Sequence, residues 1–206
     1  YEQLIKIDPT SEYGYVNLAI ALKKLGHIER SRSLYNKALG KNPKNSDTLN
    51  NLGNLYLSSG ENQKAKQYYL KALKYRSDFA EAHNNLGIVY KNLGELSNAR
   101  ERFIKAIQLK PGYSEAYTQL GVTYKAAFEP ILAIQSFDKA LELNPELDSA
   151  YYQRGKIIVH LLEHYDVAEG FTLLDAVGDY TSAISLNRSD DRYWYGRGLA
   201  LMQKHS

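Results

Sequence analysis

Residues 50–60 read NNLGNLYLSSG and residues 84–94 read NNLGIVYKNLG, so the chain nearly restates itself after 34 residues. A unit of that length is too small to bury an apolar face by itself, so such units must stack and share a core. Laid out at this period, the chain gives units at 12–45, 46–79, 80–113 and 114–147, a longer one at 148–190, and part of a unit at each end, 1–11 and 191–206. The fourth residue of each unit is large: Tyr15, Leu49, His83, Tyr117 and Tyr151. Leu18, Leu52, Leu86 and Leu120 follow three residues on, with Arg154 the exception, and then a small residue, Ala19, Gly53, Gly87, Gly121 or Gly155. Leu22, Tyr56, Tyr90, Tyr124 and Ile158 come three further on. Spacings of three and four put these on one helical face, with the small residue where a neighbouring backbone must come close.

A second helix follows in each unit, marked by Ala65, Tyr69, Ala72; Ala99, Phe103, Ala106; and Ala133, Phe137, Ala140, with Ser31, Tyr35 and Ala38 in the first unit. Pro9, Pro43, Pro111 and Pro145 close these second helices, because proline lacks a donor and clashes with a continuing helix. Pro130 falls near the start of a helix, where no donor is lost. Gly26, Gly60 and Gly94 end the first helices of three units as left-handed caps. Phe128 and Leu162 replace them later, so those two turns are expected to be built differently. The unit from 148 is nine residues longer than the period, and aligning Ala176, Tyr180 and Ala183 with the second-helix set puts the excess near 162–170, as a lengthened turn or extra helical turns.

This pattern resembles the tetratricopeptide repeat, whose W-x2-L-G-x2-Y…A-x3-F…P signature it matches in register across essentially the whole chain. The resemblance implies an all-α, right-handed superhelix of the α–α solenoid type: five full helix pairs plus a partial helix at each end, forming one array over 1–206, with the first helix of each pair lining a concave face. The partial second helix at 1–11 and the first helix at 191–206 leave half units, whose apolar faces are expected to be covered by more chain or by another molecule. The chain does not begin with Met, and it is expected to be a piece of a longer protein.

The sixth residue of each unit is Asn17, Asn51, Asn85, Gln119 or Gln153, off the packing face. Asn costs roughly 0.5 kcal/mol relative to Ala inside a helix, so three in phase need a reason. A carboxamide carries both acceptor and donors and can pair with the C=O and N–H of an extended peptide. The repeat domains of O-GlcNAc transferases use an asparagine ladder in this slot, and the units look similar to that subtype; Asn17, Asn51 and Asn85 match it, while Gln119 and Gln153 are longer homologues. The other reading is that these residues face water or bond a neighbouring helix. Asn50 and Asn84 have no counterpart in Val16, Thr118 and Tyr152, which marks their pairing with the ladder residues as incidental. The peptide reading expects Asn51→Ala with Asn85→Ala to weaken binding and leave melting unchanged.

Asn54, Lys23, Lys91, Lys125 and Lys156 complete the candidate peptide-binding set on the concave side, with Asp47, Glu81 and Glu115 nearer one rim. Lysines there would attract an acidic segment; exposed helix charges also serve simply to solvate. A second subtype, the co-chaperone clamp for C-terminal carboxylates, needs a particular Lys, Asn and Arg set on successive first helices; its slots here hold Val16, Asn50, Glu81 and Glu115, and acids so placed would repel a carboxylate, which argues against it.

Charge is unevenly spread. Residues 1–110 carry 18 Lys and Arg against 10 Asp and Glu, and residues 111–206 carry 8 against 13, which favours either head-to-tail self-assembly or steering of a charged partner. Cysteine is absent, which excludes disulfides and thiolate metal sites, fits a reducing compartment, and favours the cytoplasm. No apolar run approaches the roughly 20 residues of a membrane helix, and the first residues lack the pattern of a secretory leader.

Signals for chemistry are few. His160, Glu163 and His164 spell H-x-x-E-H, an inverted zinc-protease order, but at a repeat turn with no surrounding domain it reads as coincidence, and no cofactor or metal is expected. His83 fills a core slot. Most of the unit tyrosines fall in core slots, which disfavours nucleic-acid stacking. The expected function is a non-catalytic protein–protein interaction scaffold that takes an extended peptide or partner segment; the alternatives are a substrate-recruiting arm of a larger enzyme such as a glycosyltransferase, or a self-assembling scaffold.

Overall fold

The computed structural model describes residue 8 and residues 11–164 and 170–204. All regular structure among them is α-helical: α1 (Glu12–Lys24), α2 (Ile28–Lys41), α3 (Ser46–Ser58), α4 (Asn62–Tyr75), α5 (Ala80–Asn92), α6 (Leu96–Leu109), α7 (Ser114–Ala126), α8 (Pro130–Leu143), α9 (Asp148–His164), α10 (Leu173–Leu186) and α11 (Asp191–Lys204). These are five pairs and one further first helix; the partial second helix expected at 1–11 falls on residues outside those described, apart from residues 8 and 11. The chain divides into two compact units, 1–109 with α1–α6 and 110–206 with α7–α11.

In the first unit α1 packs on α2, α3 on α4 and α5 on α6, each pair joined by a three-residue turn and therefore antiparallel. The small slot explains the closeness. A methyl group added at Gly53 would lie 2.6 Å from the Tyr69 ring, and one at Gly87 would lie 2.7 Å from Phe103. Both rings are fully buried. In the first pair Ala19 fills the slot, and its carbonyl accepts a bond from Ser31 Oγ at 2.7 Å.

Successive pairs are joined by a repeated polar clasp. Arg32 on α2 lies over the Tyr56 ring of the next pair at 4.8 Å and donates to Glu61 at 3.1 Å. Thirty-four residues later, Lys66 lies over Tyr90 at 4.5 Å and donates to Glu95 at 3.1 Å. Part-exposed ion pairs add little energy, but a cation trapped between a ring and a carboxylate fixes the register of one pair on the next.

His83 occupies its slot as a core residue, 5% exposed, with Nε2 3.0 Å from the Ser77 carbonyl. Burial holds its imidazole below the usual histidine range, an effect larger than the support that the Ser77 carbonyl gives the cation. The unfolded chain therefore takes up this proton first, and the stability His83 confers is complete above pH about 6.5 and is lost as pH falls through that value. Melting is expected to fall as pH drops through about 6.5, and His83→Leu, which copies Leu49, to flatten that slope. An unchanged slope in the variant would refute this assignment.

In the second unit α7 packs on α8, α9 on α10 and α10 on α11. Gly121 faces Phe137 at 3.0 Å and Gly196 faces Tyr180 at 2.6 Å, each measured from an added methyl. The Leu slot holds Arg154, whose guanidinium is clasped by Asp179 through Nε at 2.9 Å and Nη2 at 2.5 Å, and by Asp138 through Nη1 at 2.5 Å. The Asp179 side chain is 5% exposed and the Arg154 side chain 23%.

The turns confirm part of the expected pattern and correct the rest. Pro43, Pro111 and Pro145 each stand two residues past a second helix, and Pro130 is the first residue of α8. Helix α9 runs 17 residues, against 13 for the first helices before it, and carries Leu162 inside it; residues 165–169, where the turn of the longer unit is expected, lie outside the described residues. Phe128 contradicts the expectation for its own turn. It adopts the left-handed conformation at φ 59°, as Gly26, Gly60 and Gly94 do at 79°, 74° and 77°. It also keeps their hydrogen bonds: Phe128 N to Lys125 O at 3.1 Å and Glu129 N to Tyr124 O at 2.9 Å match Gly94 N to Lys91 O and Glu95 N to Tyr90 O. The backbone bonds of the cap set the turn, and the space around it is open, so a side chain is tolerated at a cost in conformational energy.

Candidate functional site

The candidate residues all lie on the first helices of the pairs. In the first unit Asn17 on α1 is exposed, while Asn51 on α3 and Asn85 on α5 are half-buried. Asn85 is not a free carboxamide. Its Nδ2 donates to Asn50 Oδ1 at 3.1 Å and to Asn54 Oδ1 at 2.9 Å, and Asn54 Oδ1 also accepts from Tyr69 Oη–H at 2.7 Å. Asn54 thus ties its own hairpin to the next first helix, and both Asn85 donors are spent. The reading of Asn50 as incidental is corrected: it is buried and accepts from Asn85 across the α3–α5 contact. Asn17 and Asn51 have no side-chain hydrogen bond among the described residues, so each keeps an acceptor and both donors.

Lys23 and Lys91 are half-buried, and burial lowers the pKa of Lys91. At the rim, Asp47 is bound by Arg76 through two bonds of 3.1 and 2.7 Å, and the Arg76 guanidinium lies 3.4 Å from the centre of the Phe79 ring.

In the second unit Gln119 and Gln153 are half-buried. Gln153 Oε1 accepts from Lys125 Nζ at 2.7 Å, which fixes a longer side chain that would otherwise move freely. Burial, and then the nearby charge of Lys156, lowers the pKa of Lys125. Lys156 is exposed, with Nζ 5.6 Å from the centre of the Tyr152 ring.

His160, Glu163 and His164 are all exposed at the end of α9, with ligand atoms within 4.8 Å of one another. The Gln203 amide donates to Glu163, and His164 Nδ1 lies 3.1 Å from the His160 carbonyl. All three side chains are exposed, and the three residues alone supply no fourth protein ligand and no general base beyond themselves. Tyr35, Tyr56, Tyr69, Tyr90 and Tyr180 are buried, so their rings are not available for base stacking.

Family models for tetratricopeptide repeats match residues 13–45, 34–67, 53–94, 80–113 and 114–147, together about two thirds of the chain. The chain is a tetratricopeptide repeat protein. No curated protein sequence matches it. Solved structures do. YrrB, described as a TPR protein with an unusual peptide-binding site, superposes with a TM-score of 0.70 at 20% identity, covering 96% of this chain and 97% of that one. PilF of Pseudomonas aeruginosa gives 0.79 at 21% identity, covering 93% and 89%. PilW, a type IV pilus biogenesis factor, gives 0.80 at 19% identity, covering 94% and 86%. At such identities the likeness establishes a shared tetratricopeptide fold and nothing finer.

Two features of this tetratricopeptide array escaped sequence reading. The Asn50–Asn54–Asn85 bridge depends on which slots of adjacent first helices meet, and that register is a tertiary quantity. The Arg154 clasp had a visible signal, a cation in a leucine slot, but its partners Asp179 and Asp138 become evident only when α8, α9 and α10 are packed together.

Proposed function

We propose that this tetratricopeptide repeat protein is a non-catalytic interaction module that holds an extended segment of a partner protein by its backbone, along the first helices of residues 1–109. The observation that carries the proposal is Asn51: a carboxamide in a helix interior, half-exposed, with both hydrogen-bonding ends uncommitted. Asn17 supports it in the same way. Asn85 contributes only its Oδ1 acceptor to such a peptide, because its donors are engaged with Asn50 and Asn54. The likeness of these slots to the asparagine ladder of O-GlcNAc transferases and the peptide-binding site attributed to YrrB both favour a peptide ligand.

The structure changes how the reading is tested. Asn85→Ala removes two internal bonds, each worth about 1 kcal/mol, so it is expected to lower stability and confuse a binding assay. Asn51→Ala touches no such bond. Peptides selected by display on the natural protein are expected to bind Asn51→Ala about tenfold more weakly, with a melting temperature by circular dichroism that is unchanged or slightly raised, since Ala is the better helix former. Equal affinity for the variant and the natural protein would reject the asparagine reading.

A further inference from the structure

A second feature of the same binding reading lies in residues 110–206, around Phe128. This side chain is 92% exposed and its backbone is left-handed, at φ 59°. Three other repeats satisfy the same turn with glycine and the same hydrogen bonds. A phenylalanine there carries a conformational penalty of roughly 1 kcal/mol and recovers almost nothing by burial. Folding alone therefore does not account for it.

What surrounds the ring does. Phe128, Pro130 and Ile157, with the side chains of Lys125, Lys156 and His160, line a cavity of about 310 Å³. Its apolar surface is flanked by two ammonium groups, one on α7 and one on α9. They are close enough that Lys156 further disfavours the charge on Lys125, and each would gain from a carboxylate placed between them. Lys125 spends one of its three donors on Gln153 Oε1, which also aims it. The local positive charge stands out in a stretch, residues 111–206, that carries 8 Lys and Arg against 13 Asp and Glu. A long polyanion would be repelled by that acidic surround, whereas one or two carboxylates beside an apolar group fit it.

We propose that this cavity receives a partner peptide carrying a large aromatic or aliphatic side chain next to an acidic one, the apolar group seated on Phe128 and Ile157 and the carboxylate between Lys125 and Lys156. This deepens the peptide-binding reading and rests on it, but it uses different residues.

The test is amide NMR titration of the natural chain with three blocked pentapeptides, Gly-Asp-Phe-Glu-Gly, Gly-Asn-Phe-Gln-Gly and Gly-Lys-Phe-Lys-Gly, and with a thymidine oligonucleotide. The acidic peptide is expected to give saturable shifts at residues 125–130 and 156–160, the amide peptide to bind about tenfold more weakly, and the lysine peptide to give none. Phe128→Gly is expected to weaken the acidic peptide about tenfold while raising the melting temperature, a combination that a purely structural role for the ring would not give. Lys156→Gln is expected to weaken it several-fold without changing melting. The proposal falls if shifts map elsewhere, if no saturable shift appears, if Phe128→Gly and Lys156→Gln bind normally, or if the oligonucleotide displaces the peptide. Repeating the titration on Asn51→Ala separates the two readings: shifts that survive there, with display-selected peptides binding both proteins equally, leave the cavity standing and remove the asparagine face.

Discussion

Asp179→Ala is expected to destabilise the second unit by about 3 kcal/mol, because it strands a largely buried guanidinium that keeps the part-exposed Asp138 as its counter-charge and the Tyr151 ring at 5.7 Å. Arg154 sits where the other units have Leu18, Leu52, Leu86 and Leu120, so its charge lies in a place built for an apolar side chain. Burial pushes the Asp179 carboxyl up, more than Arg154 draws it down. The compensating variant follows from the preceding unit, which has Leu120 and Ser136 in the two slots. Arg154→Leu with Asp179→Ser is therefore expected to be as stable as the natural chain or more so, since replacing a buried ion pair by apolar packing is often neutral or favourable. Urea unfolding followed by the fluorescence of Trp194, the one tryptophan, reads this unit directly. A loss below about 1 kcal/mol for Asp179→Ala would mean that water already supports the guanidinium.

Gly87→Ala tests the packing principle of the array. In an unhindered helix the change would stabilise by about 1 kcal/mol, since glycine is the poorer helix former. Here the added methyl would sit 2.7 Å from Phe103, a ring that is fully buried and has nowhere to go. Overpacking of this kind costs about 1–3 kcal/mol, so after the propensity gain the net expectation is a loss of about 1 kcal/mol, and up to about 2, in chemical denaturation. Adding Phe103→Leu should recover part of the loss, and the two changes should be non-additive because they share one contact. Gly112→Ala, where an added methyl meets nothing within 4 Å, is the control and should cost little. If Gly87→Ala proved as harmless as the control, the close approach of α5 and α6 would not depend on the missing side chain.

How far the sequence could be read depended on what kind of interaction each residue makes. The helices, their pairing and the core were legible because one chemical pattern recurs at fixed spacing: small residues at 53, 87 and 121 face rings at 69, 103 and 137. Sixteen residues separate each small residue from its ring, so the contact is local and repeats with the unit. The candidate site was legible only as a set of slots. Asn51 and Asn85 are identical in sequence position within their units, yet one is uncommitted and the other bridges two helices, because Asn50 and Asn54 stand opposite Asn85 alone.

Phe128 shows the same division from the other side. From sequence, the loss of glycine predicted a different turn; the turn is the same, because its backbone hydrogen bonds outweigh a penalty of roughly 1 kcal/mol when the side chain has open space. The period, the helical faces and the proline stops were set by contacts a few residues to a few tens of residues apart, and a single chain read once is enough to find those. Which polar groups remain available to a partner was decided by packing between successive hairpins, where a few ångströms determine whether a carboxamide or an ammonium finds a bond inside the protein or keeps it for another molecule.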